Sequence, residues 1–301
     1  MKSPGLWIAV LLLATLYVFV MQPVTSDVLT GQVNVGNLAP QVTRVSLHDS
    51  DGGTIQLVAG SDTNIIYCDA TVNDTNGYQD IKAAWAVIYN GTATNIGAAN
   101  KNSVYYNYSC NLTGGSDTIL YINCSFTVQH EAVNGTWTCN ITVNDTSGNV
   151  NMSNATNTID SQTGISVFEL AINFGDISLG QNTTGSGTTL NQTTNITNQG
   201  NVMVDIKLNG SHYSCSQAGS IPVNYTKFNV SMGDYDHMDK RLPNDHTQYT
   251  ESGFDLGVEG IATAQDAESF KFEYWTIEVP QSNVAGICTN QIQITGTYGG
   301  P

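Results

Sequence analysis

Cys68-Asp-Ala-Thr-Val-Asn-Asp-Thr-Asn-Gly77 and Cys139-Asn-Ile-Thr-Val-Asn-Asp-Thr-Ser-Gly148 are two versions of one segment. Together with the residues before it, the first places Ile66, Cys68, Ala70 and Val72 on one face and Tyr67, Asp69 and Thr71 on the other. The second places Trp137, Cys139, Ile141 and Val143 on one face, with Thr136, Thr138, Asn140 and Thr142 opposite. A period of two is the mark of a half-buried strand, so both cysteines point inward and Asn140 outward. Between the two copies, Ile81–Tyr89 sets Ile81, Ala83, Trp85, Val87 and Tyr89 on one face. Farther along, Val202, Val204, Ile206 and Leu208 alternate with Met203, Asp205 and Lys207, and Phe270–Val279 is aromatic-rich and strand-like.

The composition agrees with an all-β chain. The 301 residues include 31 Asn, 35 Thr, 23 Ser and 29 Gly, which suit turns and wet sheet faces and suit helices poorly. Asn-Gly dipeptides begin at Asn76, Asn90, Asn134 and Asn209, the chemistry of tight hairpins. No stretch after residue 26 holds helical periodicity over three turns. With 25 acidic against 9 basic residues the net charge is −16, which argues against nucleic acid and anionic membrane surfaces as partners.

A composition shift near Asp160 divides the chain, and with it the six cysteines. The segments are 1–26, a signal peptide or N-terminal anchor; 27–40, a linker; 41–160, a first sandwich; and 161–301, a second. Gln181–Thr194 reads as a loop of the second. No Cys-x-x-Cys pair or zinc-type Cys/His spacing is present, so disulfides are expected. Pairing within domains leaves Cys215 with Cys288, and three pairings open among Cys68, Cys110, Cys124 and Cys139.

The order Cys68…Trp85…Cys139 resembles the immunoglobulin-like sandwich, with two inter-sheet cysteines and a core tryptophan between them. The resemblance implies a Cys68–Cys139 bridge, Cys110–Cys124 across a hairpin around Gly114-Gly115, and Trp137 where the family often has a corner Tyr. Asn195-Ile-Thr-Asn-Gln-Gly-Asn201 resembles a turn of repeated sandwich modules in archaeal surface proteins. The expected architecture is two tandem immunoglobulin-like β-sandwiches behind an N-terminal hydrophobic segment, similar to archaeal surface-layer or surface-filament proteins.

Lys2, the apolar run Leu6–Met21 and the small residues Val24 and Ser26 before Asp27 read as a secretory signal. A retained anchor, or a pilin-like helix after Gly5, is the alternative use of the same run. Sixteen Asn-x-Ser/Thr sites follow, where roughly six would arise by chance. They begin at Asn73, Asn90, Asn107, Asn111, Asn123, Asn134, Asn140, Asn144, Asn151, Asn154, Asn182, Asn191, Asn195, Asn209, Asn224 and Asn229; residues 232–301 hold none. The excess points to an extracellular, glycosylated chain.

Catalytic motifs are not found. His130-Glu131 opens like a zinc-protease helix, but Asn134 stands where the second histidine belongs. Asp49 and Asp51, together with the turn residues Asp74 and Asp145, could gather at one sandwich end as oxygen ligands for a structural calcium. A second acidic cluster, Asp234, Asp236, His237, Asp239, Asp245 and His246, reads as a solvated loop. No other cofactor is expected.

These features point to a non-catalytic structural glycoprotein of the cell surface, a surface-layer component or extracellular filament subunit. The alternative is an adhesin or receptor that binds a sugar or protein through sandwich loops. The expected partners are copies of itself and neighbouring surface proteins, with no nucleic acid, and the membrane only through a retained N-terminal segment. Segments 27–72 and 232–301 are the expected contact surfaces.

Overall fold

The computed structural model describes residues 29–93, 95–183, 192–244, 247–260 and 268–299. The hydrophobic segment 1–26 therefore lies outside the described residues. Residues 29–37 carry no strand and belong to a unit separate from residues 38–301, which are described from here on.

Nineteen strands and three short 3-10 turns make up the described secondary structure. Eight strands form the first sandwich: β1 (Gln41–His48), β2 (Asn64–Asn73), β3 (Ile81–Asn90), β4 (Val104–Asn107), β5 (Asn111–Ser116), β6 (Ile119–Val128), β7 (Gly135–Asp145) and β8 (Val150–Ile159). They pair antiparallel in two sheets, ordered β1-β2-β6-β5 and β4-β3-β7-β8. That is the immunoglobulin arrangement, with one extra strand beside the third. Inward residues alternate along every central strand: Ile66, Cys68, Ala70 and Val72 from β2, Ile122, Cys124 and Phe126 from β6, and Trp137, Cys139, Ile141 and Val143 from β7. Disulfides join Cys68 to Cys139 between the sheets and Cys110 to Cys124.

Strand β3 departs from the expected parity. Its pairing with β7 slips between Ile81 and Ala83, and this bulge turns the following residues over. Ala84, Ala86 and Ile88 face the core, while Trp85 points outward and is half-buried. The core tryptophan is Trp137 instead, 1 % exposed, its Nε1 donating to the Val133 carbonyl at 2.8 Å. The β5–β6 hairpin likewise turns at Asp117-Thr118. Gly114-Gly115 form an irregularity inside β5, where a side chain at Gly115 would collide with the Tyr78 ring.

The second sandwich contains β9 (Ile165–Val167), β10 (Gln192–Asn198), β11 (Val204–Gly210), β12 (Tyr213–Cys215), β13 (Ser220–Ile221), β14 (Thr226–Asn229), β15 (Lys240–Arg241), β16 (Tyr249–Leu256), β17 (Phe270–Ile277), β18 (Cys288–Thr289) and β19 (Ile292–Tyr298). Five strands make one sheet, β15-β14-β17-β10-β9, and three the other, β16-β11-β19. Ile196, Ile206, Leu208, Phe228, Phe254 and Trp275 fill the space between them. A small sheet, β13-β12-β18, carries the half-buried Cys215–Cys288 disulfide. Gln192–Thr194, expected in a loop, opens β10, and 184–191 fall outside the described residues.

Candidate functional site

The disulfide between β2 and β7 sets two strands side by side in facing sheets. Each then runs six residues onward, an even number, so Asp74 and Asp145 share the inward parity of Cys68 and Cys139. The repeated turn sequences fold alike. Asp74 Oδ1 accepts from the Asn76 N–H at 2.9 Å and Asp145 Oδ1 from the Ser147 N–H at 2.9 Å. Gly77 and Gly148, at φ 110° and 85°, donate back to the two aspartate carbonyls. Both aspartates are fully buried.

A third carboxylate joins them from the 3-10 turn Tyr78–Asp80. Ile81 pairs with Asp145 at the start of β3, which puts Asp80 beside the second turn. There its carbonyl accepts from Thr146 N–H at 2.9 Å and its Oδ1 from the Thr146 hydroxyl. One carboxylate oxygen from each of Asp74, Asp80 and Asp145 lies within 4.8 Å of the others. No Lys, Arg or His among the described residues forms an ion pair with any of them.

The three carboxylates are unequally supported. Burial pushes Asp145 up, but the Asn149 side chain and the Asn149, Ser147 and Gly148 N–H groups outweigh it and hold the group below its ordinary range. Burial raises Asp74 above its ordinary value; the Asn76 N–H opposes this and the charges of Asp80 and Asp145 add to it. Asp74 Oδ2 and Asp80 Oδ2 are buried without any hydrogen-bond donor.

Asp49 and Asp51 do not take part. In the β1–β2 register Gln41 faces Asn73 and His48 faces Tyr67, so Asp49 begins at the opposite end of the sandwich from Asp74. Its carboxylate is committed to a local loop, Oδ1 accepting from the Asp51 and Gly52 N–H groups and Oδ2 from that of Gln56. The expected gathering of four aspartates is thus corrected to Asp74 and Asp145 with Asp80, which strand alternation does not reveal because it lies in the 3-10 turn before β3.

A second grouping joins Asp62 to the buried pair His130 and Glu131. Lys101 bridges Glu131 and Glu259 at 3.1 and 2.8 Å, and His130 Nδ1 lies 3.2 Å from Asp62, so these groups partner one another. In the second loop cluster Asp234 accepts from the N–H and Nδ1 of His237, closing a 3-10 turn; Asp245 and His246 fall outside the described residues. Inside the second sandwich Glu273 is fully buried, with no donor to either carboxylate oxygen. Burial pushes it up to about 8, the Lys240 ammonium offsetting part of that. Lys240 is itself paired with the buried Glu251.

The sequon asparagines fall into three groups. Asn111, Asn134, Asn154 and Asn224 are exposed, and Asn73, Asn107, Asn123, Asn140, Asn144, Asn151, Asn182, Asn195 and Asn229 are half-buried. Asn90 and Asn209 are buried, 3 % and 6 % exposed, and so are poorly placed to carry sugar. Asn90 Oδ1 closes its own turn by accepting from the Thr92 N–H and hydroxyl. Asn191 lies outside the described residues.

One sheet face of the second sandwich is aromatic and open. Phe270, Phe272 and Tyr274 occupy the outer parity of β17, with ring centroids 6.1 and 6.5 Å apart. With Val230, Glu268 and Lys271 they line a shallow cleft of about 360 Å³. Asn195 pairs across the ladder with Phe272, and Asn229 with Tyr274. Trp275 points the other way, into the core, its Nε1 donating to Thr194 Oγ1 at 3.0 Å.

No family model matches the chain, and no curated protein does. Among solved structures it is similar to a chain of the chaperone–tip adhesion subunit pre-assembly complex of archaic chaperone-usher Csu pili from Acinetobacter baumannii. Identity there is 10 %, with 85 % of this chain and 92 % of that one covered and a TM-score of 0.33. The C-terminal domain of the Streptococcus agalactiae antigen I/II polypeptide BspA aligns at 12 % identity over 84 % and 96 % of the two chains, with a TM-score of 0.23. Dimeric latent PorU from Porphyromonas gingivalis aligns at 11 % identity, over 85 % of this chain and 20 % of that one, with a TM-score of 0.26.

Proposed function

We propose that this chain is a non-catalytic structural glycoprotein of the cell surface, a subunit of a surface layer or extracellular filament in the style of archaeal surface proteins. The observation that carries this reading is where the glycan acceptors fall. On the first sandwich, Asn73 and Asn123 take the solvent parity of one sheet, and Asn140 and Asn144 that of the other. Sugars there would coat both broad faces and leave contacts to edges, ends and the second sandwich. The aromatic row of β17 lies in the sequon-free segment 232–301, but its ladder neighbours Asn195 and Asn229 are acceptors on the same face, so the row would serve as a contact surface only with those two bare. Export through residues 1–26 and a division into units at 41–160 and 161–301 belong to the same proposal. The three disulfides suit an oxidising, extracellular setting.

Electron microscopy of surface material from the native source, with intact-mass analysis of the same fraction, tests it. A lattice or filament built from this chain, with mass well above 32.2 kDa, is the expected result. A dispersed chain of unmodified mass would overturn it.

The cleft beside Phe270, Phe272 and Tyr274 favours a second reading, an adhesin. Aromatic rings with a Glu and a Lys at their side are the groups that stack on and hydrogen-bond a sugar. Saturable binding on a glycan array, lost in Phe272→Ala, would support the adhesin over the lattice subunit. In this second reading recognition would use a sheet face, where the sequence suggested loops.

A further inference from the structure

We propose that Asp74, Asp80 and Asp145 bind one hard divalent cation, calcium foremost, at the end of the first sandwich where β2 and β7 terminate. Three carboxylates converge there with no described basic residue paired to them, and two of their oxygens, Asp74 Oδ2 and Asp80 Oδ2, are buried without a donor. Asp74 is fully buried, so its free oxygen is withdrawn from bulk solvent. A buried carboxylate left in that state is strongly disfavoured unless something positive faces it.

Two protein-based remedies are missing. Among the described residues no guanidinium or ammonium pairs with the cluster, and the N–H groups of the two turns serve Asp74 Oδ1 and Asp145 and leave the orphaned oxygens alone. The spacing suits an ion. One carboxylate oxygen from each aspartate lies within 4.8 Å of the others, close enough for one cation bound at about 2.0–2.6 Å to touch all three. Carboxylates supply part of the six to eight oxygens that calcium takes, and carbonyl groups and water supply the rest. The ion would clamp the two sheets at their end, six residues beyond the disulfide that clamps their middle.

Chelator-stripped full-length protein titrated with calcium chloride, then separately with magnesium chloride, tests the site by calorimetry and by thermal unfolding. The expected result is one calcium per chain with a dissociation constant of about 0.1–1 mM, the range of extracellular modules. The midpoint of unfolding should rise by a few degrees at about 10 mM calcium. Asp80→Asn should weaken binding at least tenfold, and Asp49→Asn, at the far end of β1, should leave it unchanged. Asp74→Asn offers a second route, because its amide supplies the missing donor: without calcium it should melt at or above the wild-type temperature and no longer respond to the ion. Absence of heat and of any shift in melting with either metal would overturn the proposal, as would a calcium response equal in wild type, Asp74→Asn and Asp80→Asn. A response to magnesium at least as strong as to calcium would overturn the choice of ion.

Discussion

Raising the pH from 5 to 8 should progressively destabilise the second sandwich through Glu273. This carboxyl lies on the inner face of β17 beside Trp275, fully buried and with neither oxygen hydrogen-bonded. Burial moves it from its ordinary 4.5 up to about 8. The folded state therefore holds a proton that the unfolded chain has already released. Stability from this group is complete below 4.5, declines through the interval and is fully lost above about 8. At about 1.4 kcal/mol per pH unit the whole interval amounts to about 5 kcal/mol, a large part of what a domain possesses. His237 adds to the decline, because Asp234 holds its imidazole above the usual range. In the first sandwich burial lowers His48, but the Asp49 carbonyl and Asp69 carboxylate outweigh it and raise the group, so that sandwich also loses stability as pH rises. Glu273→Gln separates these contributions, since the amide is neutral throughout. Urea midpoints at pH 5.5, 6.5 and 7.5, with amide exchange of β17 reading the second sandwich, should fall steeply in wild type. The slope should be much shallower in the variant, and the two curves should converge or cross toward alkaline pH. Wild-type stability that is constant or rises over this interval, or an equal slope in Glu273→Gln, would rule out a buried protonated Glu273 as the cause.

Other consequences are open to measurement. Trp137→Ala should cost about 3–5 kcal/mol, as for a fully buried aromatic, and Trp85→Ala about 1 kcal/mol or less, in chemical denaturation; equal costs would put the β3 bulge in the wrong place. Replacing Cys68 and Cys139 together by Ala removes a bridge between residues 71 apart, worth about 4 kcal/mol by chain entropy, against about 3 kcal/mol for the separation of 14 between Cys110 and Cys124. Stepwise reduction with alkylation and mass spectrometry should label Cys215 and Cys288 first, since theirs is the half-exposed bridge. Glycopeptide mapping of the native protein should find sugar at Asn111 and Asn154 and none at Asn90 or Asn209; a fully occupied Asn90 would contradict its burial.

The sheet alternation of β2 and β7 was readable because an inward residue every second position is a direct consequence of a pleat with one wet face. The same alternation put Asp74 and Asp145 on the core side of their turns. What misled was local and geometric. A bulge at the start of β3 changes no residue type, yet it reverses the face of everything after it, so Trp85 looked like the core tryptophan and Trp137 took that place. Asp80 stayed invisible because it sits in a 3-10 turn with no period of two, and only the register of Ile81 with Asp145 brings it to the other two aspartates. Asp49 and Asp51 look like ligands in sequence, but strand direction carries them to the other end, and their composition says nothing of direction. The aromatic composition of β17 marks it as a strand without saying which face is covered. That Phe270, Phe272 and Tyr274 face out and Trp275 faces in is decided by the opposing sheet.

The long disulfides also limit how far the chain can be drawn out under tension. A pull on its two ends cannot extend the residues enclosed between Cys68 and Cys139, or between Cys215 and Cys288, separated by 71 and 73 positions. At about 3.4 Å per residue, each loop withholds roughly 240–250 Å of contour length. Even with every ladder broken, the polypeptide could be drawn out to only about half of what its 301 residues allow. A molecule with two such short-circuits has its reach under load capped by covalent bonds, whatever the state of its sheets.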